Sequence, residues 1–435
     1  DKFLHQSLLV SNNSIYLMDG KQKQYYVKAN SEYKIELVSA LSDNNAGNVI
    51  EDFTLFYEKD PSLSGKPVPF IAVDDMASPH LYSGKAKFKI YSPDGLFPER
   101  EFELELVSGI VQPEANTYML KAGAKQGIFI PVSRVNTAYE YYNMLLEHDA
   151  VLSGKQGLPG SKSDFMLNKL DEDDDWKVNI VWTDIQKSDE QNDIERAGLS
   201  ELSEQGVAGP GSYIYVKPGQ TPGNVLIEIK SGKIKGNPTL WSWHIWVTDA
   251  DINNVIEVTN HQSQKYKFMP VYLGWCDGRT ETYAERSCKV RFTAGDASKE
   301  VIIKQVSASI TTGGNHPYYE WGRKDPFPPS DGLSNTNKTW YDKDGNAHTE
   351  SPKTENFSTG ATCIMNYILK PDVMQSQFYG DNTYANLWSA DNNVYTANDE
   401  NVIKTIYDPS PVGFKLPVGN TFTGFTTTGN NTSTF

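Results

Sequence analysis

The stretch WYDKDGNAHTE, residues 340–350, places Asp342, Asp344, Asn346 and Glu350 close together. Hard cations want several carboxylate and carbonyl oxygens, so this loop is a candidate calcium ligand set. Its Asp344-Gly345 pair is equally a hairpin-turn signal. A second acidic run, LDEDDDWK, carries Asp171, Glu172, Asp173, Asp174 and Asp175. It lacks the glycine and terminal glutamate of an EF-hand loop and reads as a solvated acidic turn before a strand. Sugar rings stack their C–H faces on indole and phenol rings, while Asn and Asp bind hydroxyls. On that chemistry the candidate ligand-binding residues are Trp340 and, within QFYGDNTYANLWSADNN, Tyr379, Tyr384 and Trp388. The alternative for each is an aromatic that packs a loop-rich domain.

The stretch WSWHIWVTD, residues 241–249, gathers three tryptophans and a histidine. Strand alternation puts Trp241, Trp243, Ile245 and Val247 on one face and Ser242, His244, Trp246 and Thr248 on the other. The first face is uniformly apolar and the second mixed. This pattern predicts a core strand with one face on a partner sheet and the other half covered, and a hydrogen-bonded His244 without a catalytic role. No HExxH, GxSxG or Walker motif occurs, and Cys363 carries no thiol-protease signature around it. The carboxylate pair of a glycosidase is placed by the fold and has no readable spacing. No catalytic residue, metal or cofactor is expected.

The elements that must hold these residues are mostly strands. SGKAKFKIYS and REFELELVS alternate at period two around a Pro93-Asp94-Gly95 turn, and SYIYVKPG, NVLIEIKSG, KVRFTAG and EVIIKQVS follow the same rule. KAKFKIYSPDGLFPEREFELELVS and RSCKVRFTAGDASKEVIIKQVS echo each other as two closing hairpins of similar units. Helical signals are few: AYEYYNMLL from Ala138, and a stretch from Ser188 with a capping-box pattern at Ser188 and Gln191. Residues 313–435 are rich in Asn, Asp, Thr, Tyr, Pro and Gly, with little periodicity. Long irregular segments of this kind need a scaffold and often carry function.

Composition narrows the class. A chain of 435 residues exceeds one ordinary domain. A net charge of −15 lacks the basic footprint of a nucleic-acid-binding protein and disfavours anionic lipid surfaces. No run of apolar residues is long enough for a transmembrane helix. No signal peptide is present; the chain opens on Asp1, as a processed terminus would. Cys276 and Cys288 either bridge a hairpin or sit as small buried side chains, and with Cys363 the count is odd.

ANTYMLKAGAKQGIFIPVSR, GNVLIEIKSG with LWSWHIWVTD, FMPVYLGW, YYEWGRKDPF and IYDPSPVGFKLP occur in that order between residues 115 and 417. Together they resemble the fimbrillin-related surface proteins of the Bacteroides group. The last two resemble the Fibrobacter-type major paralogous domain, which is likened to C-type lectins, and the closing hairpins resemble Ig-like BACON modules. The chain departs from the family pattern at Ser410, where Cys is usual, and at Phe414, where Trp is usual. The resemblance also implies a C-terminal domain that runs on past Phe435. It further implies a mainly β architecture: an Ig-like sandwich at 1–110, a fimbrillin-like sandwich at 111–250, a β module with a BACON-like closing hairpin at 251–310, and an irregular α+β domain at 311–435. The function it implies is non-enzymatic cell adhesion or a pilus (fimbria) role at the cell outer membrane, as an exported lipoprotein or fimbrial subunit. The partners are then a glycan, a surface protein or other pilus subunits. A carbohydrate-active enzyme, or an accessory glycan-binding component of polysaccharide uptake, is the alternative.

Overall fold

Alternating hydrophobic and polar residues make strands, and strands dominate this molecule. The structure, a computed structural model, describes residues 9–10, 14–18, 23–28, 34–42, 55–59, 69–73, 84–91, 93, 99–142, 169–172, 174–185, 194, 197–208, 212–260, 262–276, 279–312, 316–320, 322–329, 338–355, 360–375, 388–389 and 401–422. The fold is mainly β, with several sheets.

Two seven-stranded sheets carry most of the core. In the first, the expected hairpin Gly84–Tyr91 with Arg100–Val111 forms in the register Phe88↔Phe102 and Ile90↔Arg100. Phe88 is fully buried. Arg100–Val111 continues through position 110, so that Gly109, Ile110 and Val111 pair in parallel with Gly127, Ile128 and Phe129. The sheet then extends through Tyr213–Pro218 to Leu199–Leu202.

The second sheet runs Ala347–His348, Trp340–Asp342, Asp175–Thr183, Gly223–Ser231, Thr239–Thr248, Thr117–Lys121. Registers Val225↔Ile245, Ile227↔Trp243 and Ile229↔Trp241 align one apolar face. With Ile128, Ile130, Ile214 and Val216 of the first sheet, these residues share one core cluster. Helical residues 134–142 begin four positions before the expected AYEYYNMLL helix (138–146) and overlap it at 138–142, its remainder lying outside the described residues; they add Val135, Ala138 and Tyr142 to the cluster, and the helix Gly360–Leu369 adds Ile364, Tyr367 and Ile368. Of the expected helix from Ser188 to Leu202, residues 188–193 and 195–196 lie outside the described residues, and its end is corrected: Leu199–Leu202 is a strand, with Leu199 and Leu202 buried at every third position but paired to Tyr213–Pro218. Residues 401–422 are irregular yet scaffolded: the Asn116 amide donates to the Ile406 and Asp408 carbonyls (2.6 and 2.9 Å), and Arg134 donates to Ile406 (3.0 Å).

The two hairpins that echo each other in sequence sit in opposite surroundings. Arg286–Ala294 and Ala297–Gln305 pair over nine positions around Gly295-Asp296. Gly295 has φ +59°, the conformation a glycine supplies at the first position of a type II′ turn. One face of the ribbon is apolar, with Cys288 opposite Ile303 and Val290 opposite Val301. Yet every residue of the ribbon except half-buried Val290 is exposed, Phe292 at 62%. Period-two patterning states which residues share a face; it does not state that the face is covered. Cys276 and Cys288 are both free thiols, so the hairpin carries no bridge between them.

Candidate functional site

The strand Thr239–Thr248 departs from expectation on its second face. All ten of its residues are buried, so this face is sealed instead of half covered. The cover comes from residues 274–276, 316–320 and 322–327. A bulge between Ile180 and Trp182 turns Trp182 onto the same side, where its indole N–H donates to the Pro326 carbonyl (3.2 Å). The Trp246 indole likewise donates to the Trp275 carbonyl (2.9 Å).

Two polar groups are closed beneath this cover. The Asn224 amide donates to Asp184 Oδ2 (2.8 Å) and the Gly274 carbonyl (2.9 Å), which turns its Oδ1 toward His244 Nε2 (2.8 Å). His244 therefore carries its proton on Nε2, and its Nδ1 lone pair faces the Thr117 and Tyr319 hydroxyls at 3.2 and 3.1 Å. Burial pushes the His244 pKa down to about 3, which holds the ring neutral. In the second group Lys324 Nζ donates to Asp325 Oδ1 and Oδ2 (2.7 and 2.6 Å) and to the Ser242 carbonyl (3.1 Å), and lies 4.3 Å from the centre of the Trp241 ring. Burial lowers the Lys324 pKa to about 8, opposed by the Asp325 charge. A neutral buried imidazole and a buried ion pair can set strand register and hold the cover down. Neither reaches solvent: His244 and Asp325 are 0% exposed and Lys324 is 1%.

Of the sequence-predicted binding residues, Trp340 stands at the outer hairpin of the second sheet, where Trp340 pairs with His348. The rings of Trp340 and His348 stack at 4.4 Å and 24°, and the indole N–H donates to the Glu350 carbonyl (2.9 Å). His348 sits between Asp342 (2.9 Å from Nε2) and Glu350 (2.8 Å from Nδ1). Hydrogen bonds to these two carboxylates raise its pKa, so the ring under Trp340 is held toward the imidazolium form. Burial opposes ionisation of Asp342, but bonds from His348, Asn346 and the Asp344 and Asn346 backbone outweigh it and hold its pKa at about 2. The expected hairpin turn is thus formed, with Gly345 at φ +79°. The carboxylates of Asp342, Asp344 and Glu350 are engaged by His348, Asn346, Lys343 and backbone N–H groups of this hairpin, and among the described residues no group of three His, Cys, Asp or Glu side chains is placed to hold a metal. In the other acidic run, Asp174 accepts from the Asp171 N–H (2.9 Å) and pairs with Lys233 (3.0 Å); Asp173 lies outside the described residues.

Trp388 is not at a surface. It is 6% exposed, belongs to the main core, and donates its indole N–H to the Arg323 carbonyl (2.9 Å). Tyr379 and Tyr384 lie outside the described residues. The structure also gathers an aromatic group that sequence reasoning passed over: Tyr272, Trp275, His316 and Tyr318. Tyr272 and Trp275 belong to FMPVYLGW, one of the stretches that carry the family resemblance. The signal for a surface loop was its proline and glycine punctuation, and nothing local joins it to residues 316–318.

No protein-family model matches the chain, and no curated protein matches it. Solved structures with partial likeness include zebrafish RET cadherin-like domains 1 to 4, at 10% identity over 56% of this chain and 51% of that one, with a TM-score of 0.16. The chain therefore spans about half of that fragment. Others are the tandem Ig repeats of Dlar, at 10% identity, 54% and 93% coverage and a TM-score of 0.15, and SGBP-B of the Bacteroides ovatus mixed-linkage glucan utilization locus, solved with a mixed-linkage heptasaccharide, at 10%, 70% and 65%, and 0.15. TM-scores this low leave fold and function to be argued from the chain's own residues.

Proposed function

We propose that this chain is a non-enzymatic, exported surface protein that works in adhesion by holding a glycan on an aromatic side chain at the outer hairpin of its second sheet. The observation that carries the reading is the Trp340–His348 stack. The indole is fixed by its bond to the Glu350 carbonyl and by the ring beneath it. A fixed ring loses little freedom when a ligand stacks on it. The ion-paired His348, Asp342 and Glu350 beside it supply polar groups of the kind that bind sugar hydroxyls. A catalyst would need its titratable groups to reach a substrate, which excludes the sealed His244 and Lys324–Asp325 pair from such a role. Among the described residues no helix is long and apolar enough to cross a membrane. Attachment through a lipid anchor or a pilus belongs to the same reading.

On an immobilised panel of soluble polysaccharides, the full chain is expected to retain at least one. Trp340→Ala should weaken that binding about tenfold, equivalent to about 1.4 kcal/mol, with unchanged thermal unfolding. Equal retention of wild type and variant by every bound polysaccharide would remove Trp340 from the site.

A further inference from the structure

We infer that Tyr272, Trp275, His316 and Tyr318 form a separate saccharide platform, built to stack the apolar faces of pyranose rings in a neutral oligosaccharide. The inference rests on the glycan-binding reading above and names a site which that reading does not contain.

The four rings form a continuous group. Centroids lie 5.0 Å apart for Tyr272 and His316, 6.3 Å for Trp275 and His316, 6.4 Å for Tyr272 and Trp275, and 5.8 Å for His316 and Tyr318. Tyr272 is 71% exposed, the highest value of any large apolar side chain among the described residues. An exposed tyrosine alone is ordinary; one that continues a row of half-buried rings is a surface.

The backbone beneath the rings is fixed from the core. The Trp275 N–H donates to the Tyr272 carbonyl (2.9 Å), which closes a turn, and the Trp275 carbonyl accepts from the buried Trp246 indole. Gly274 occupies the left-handed region at φ +78°, and a Cβ there would meet Pro317 at 2.5 Å. The two ring-bearing segments are therefore pressed together through Gly274 and buried Pro317, and Asn224, the partner of His244, is hydrogen-bonded to the Gly274 carbonyl. Tyr318 is held by its strand pairing with Phe327. Such preorganisation suits binding, because little order has to be created with the ligand.

Geometry and charge select the ligand class. A cage for a quaternary ammonium surrounds the cation with ring faces. Here Tyr272, Trp275 and His316 are tilted to one another by 36°, 33° and 52°, none of them standing upright to another as cage walls do, so the group offers inclined ring faces side by side. Nucleobases also stack on such rows, but they bring phosphates, which a chain of net charge −15 repels. A neutral sugar offers the apolar face without the charge.

The test is titration calorimetry of the full chain with cello-, xylo-, manno- and chitohexaose. At least one should bind. Tyr272→Ala, at an exposed position, should weaken it about tenfold. Tyr272→Phe should restore it, because the ring is kept, and Tyr283→Ala, at another exposed tyrosine, should leave it unchanged. If a hexaose binds with equal affinity to wild type and Tyr272→Ala, the platform is wrong while the glycan reading stands, and loss in Trp340→Ala would then place binding on the outer hairpin. If wild type binds none of the four, both fall.

Discussion

Acidification from pH 6.5 to pH 3 is expected to cost the native state about 4–5 kcal/mol through His244 alone, at about 1.4 kcal/mol per pH unit. In the folded chain burial pushes the His244 pKa to about 3, against 6.5 for the free side chain. Between those values the unfolded chain binds a proton that the native chain refuses, so stability rises with pH. The contribution is fully present above pH 6.5 and is lost as pH falls toward 3. Urea unfolding at pH 7 and pH 4 should show the wild type losing about 3 kcal/mol more than His244→Gln, which has no proton to take up. Equal losses would mean that His244 is hydrated or already charged, and that the cover over its strand is not closed.

Asp325→Ala is expected to destabilise the fold by about 3–5 kcal/mol, because it leaves Lys324 as a buried ammonium without its counter-ion. The Ser242 carbonyl and the Trp241 ring stay beside Lys324 Nζ, at 3.1 and 4.3 Å, but neither neutralises it. The double variant Lys324→Met, Asp325→Ala should recover a large part of the loss, since it removes the stranded charge and keeps apolar volume over Trp241. Chemical denaturation of the three proteins measures this. A single variant within about 0.5 kcal/mol of wild type, as surface changes usually are, would show that water reaches the pair.

These two sites also mark how far the sequence could be read. The hairpin of residues 84–106 was legible because its alternation spans both strands and Phe88 proves to be buried on the expected face. The core face of Thr239–Thr248 and the hydrogen-bonded His244 were legible for the same reason. The second face of that strand was not, since the residues that seal it, Tyr319, Lys324 and Asp325, arrive some eighty positions later without a local signal. Trp388 shows the opposite failure. Its surroundings are rich in Asn, Asp and Tyr and read as surface, yet its ring is buried and its indole bonded to the Arg323 carbonyl. Exposure of the 286–305 ribbon and assembly of the Tyr272 group both depend on what tertiary structure places beside a segment, and composition does not encode that.

The central claim is that this protein holds a glycan without transforming it. Its most direct test is to incubate the full chain with whichever oligosaccharide it binds and to measure new reducing ends and product masses over time. The expected result is retained affinity, oligosaccharide recovered intact, and no reducing ends above the protein-free control. Reducing ends that accumulate in proportion to protein, and stop when one carboxylate is replaced, would contradict it.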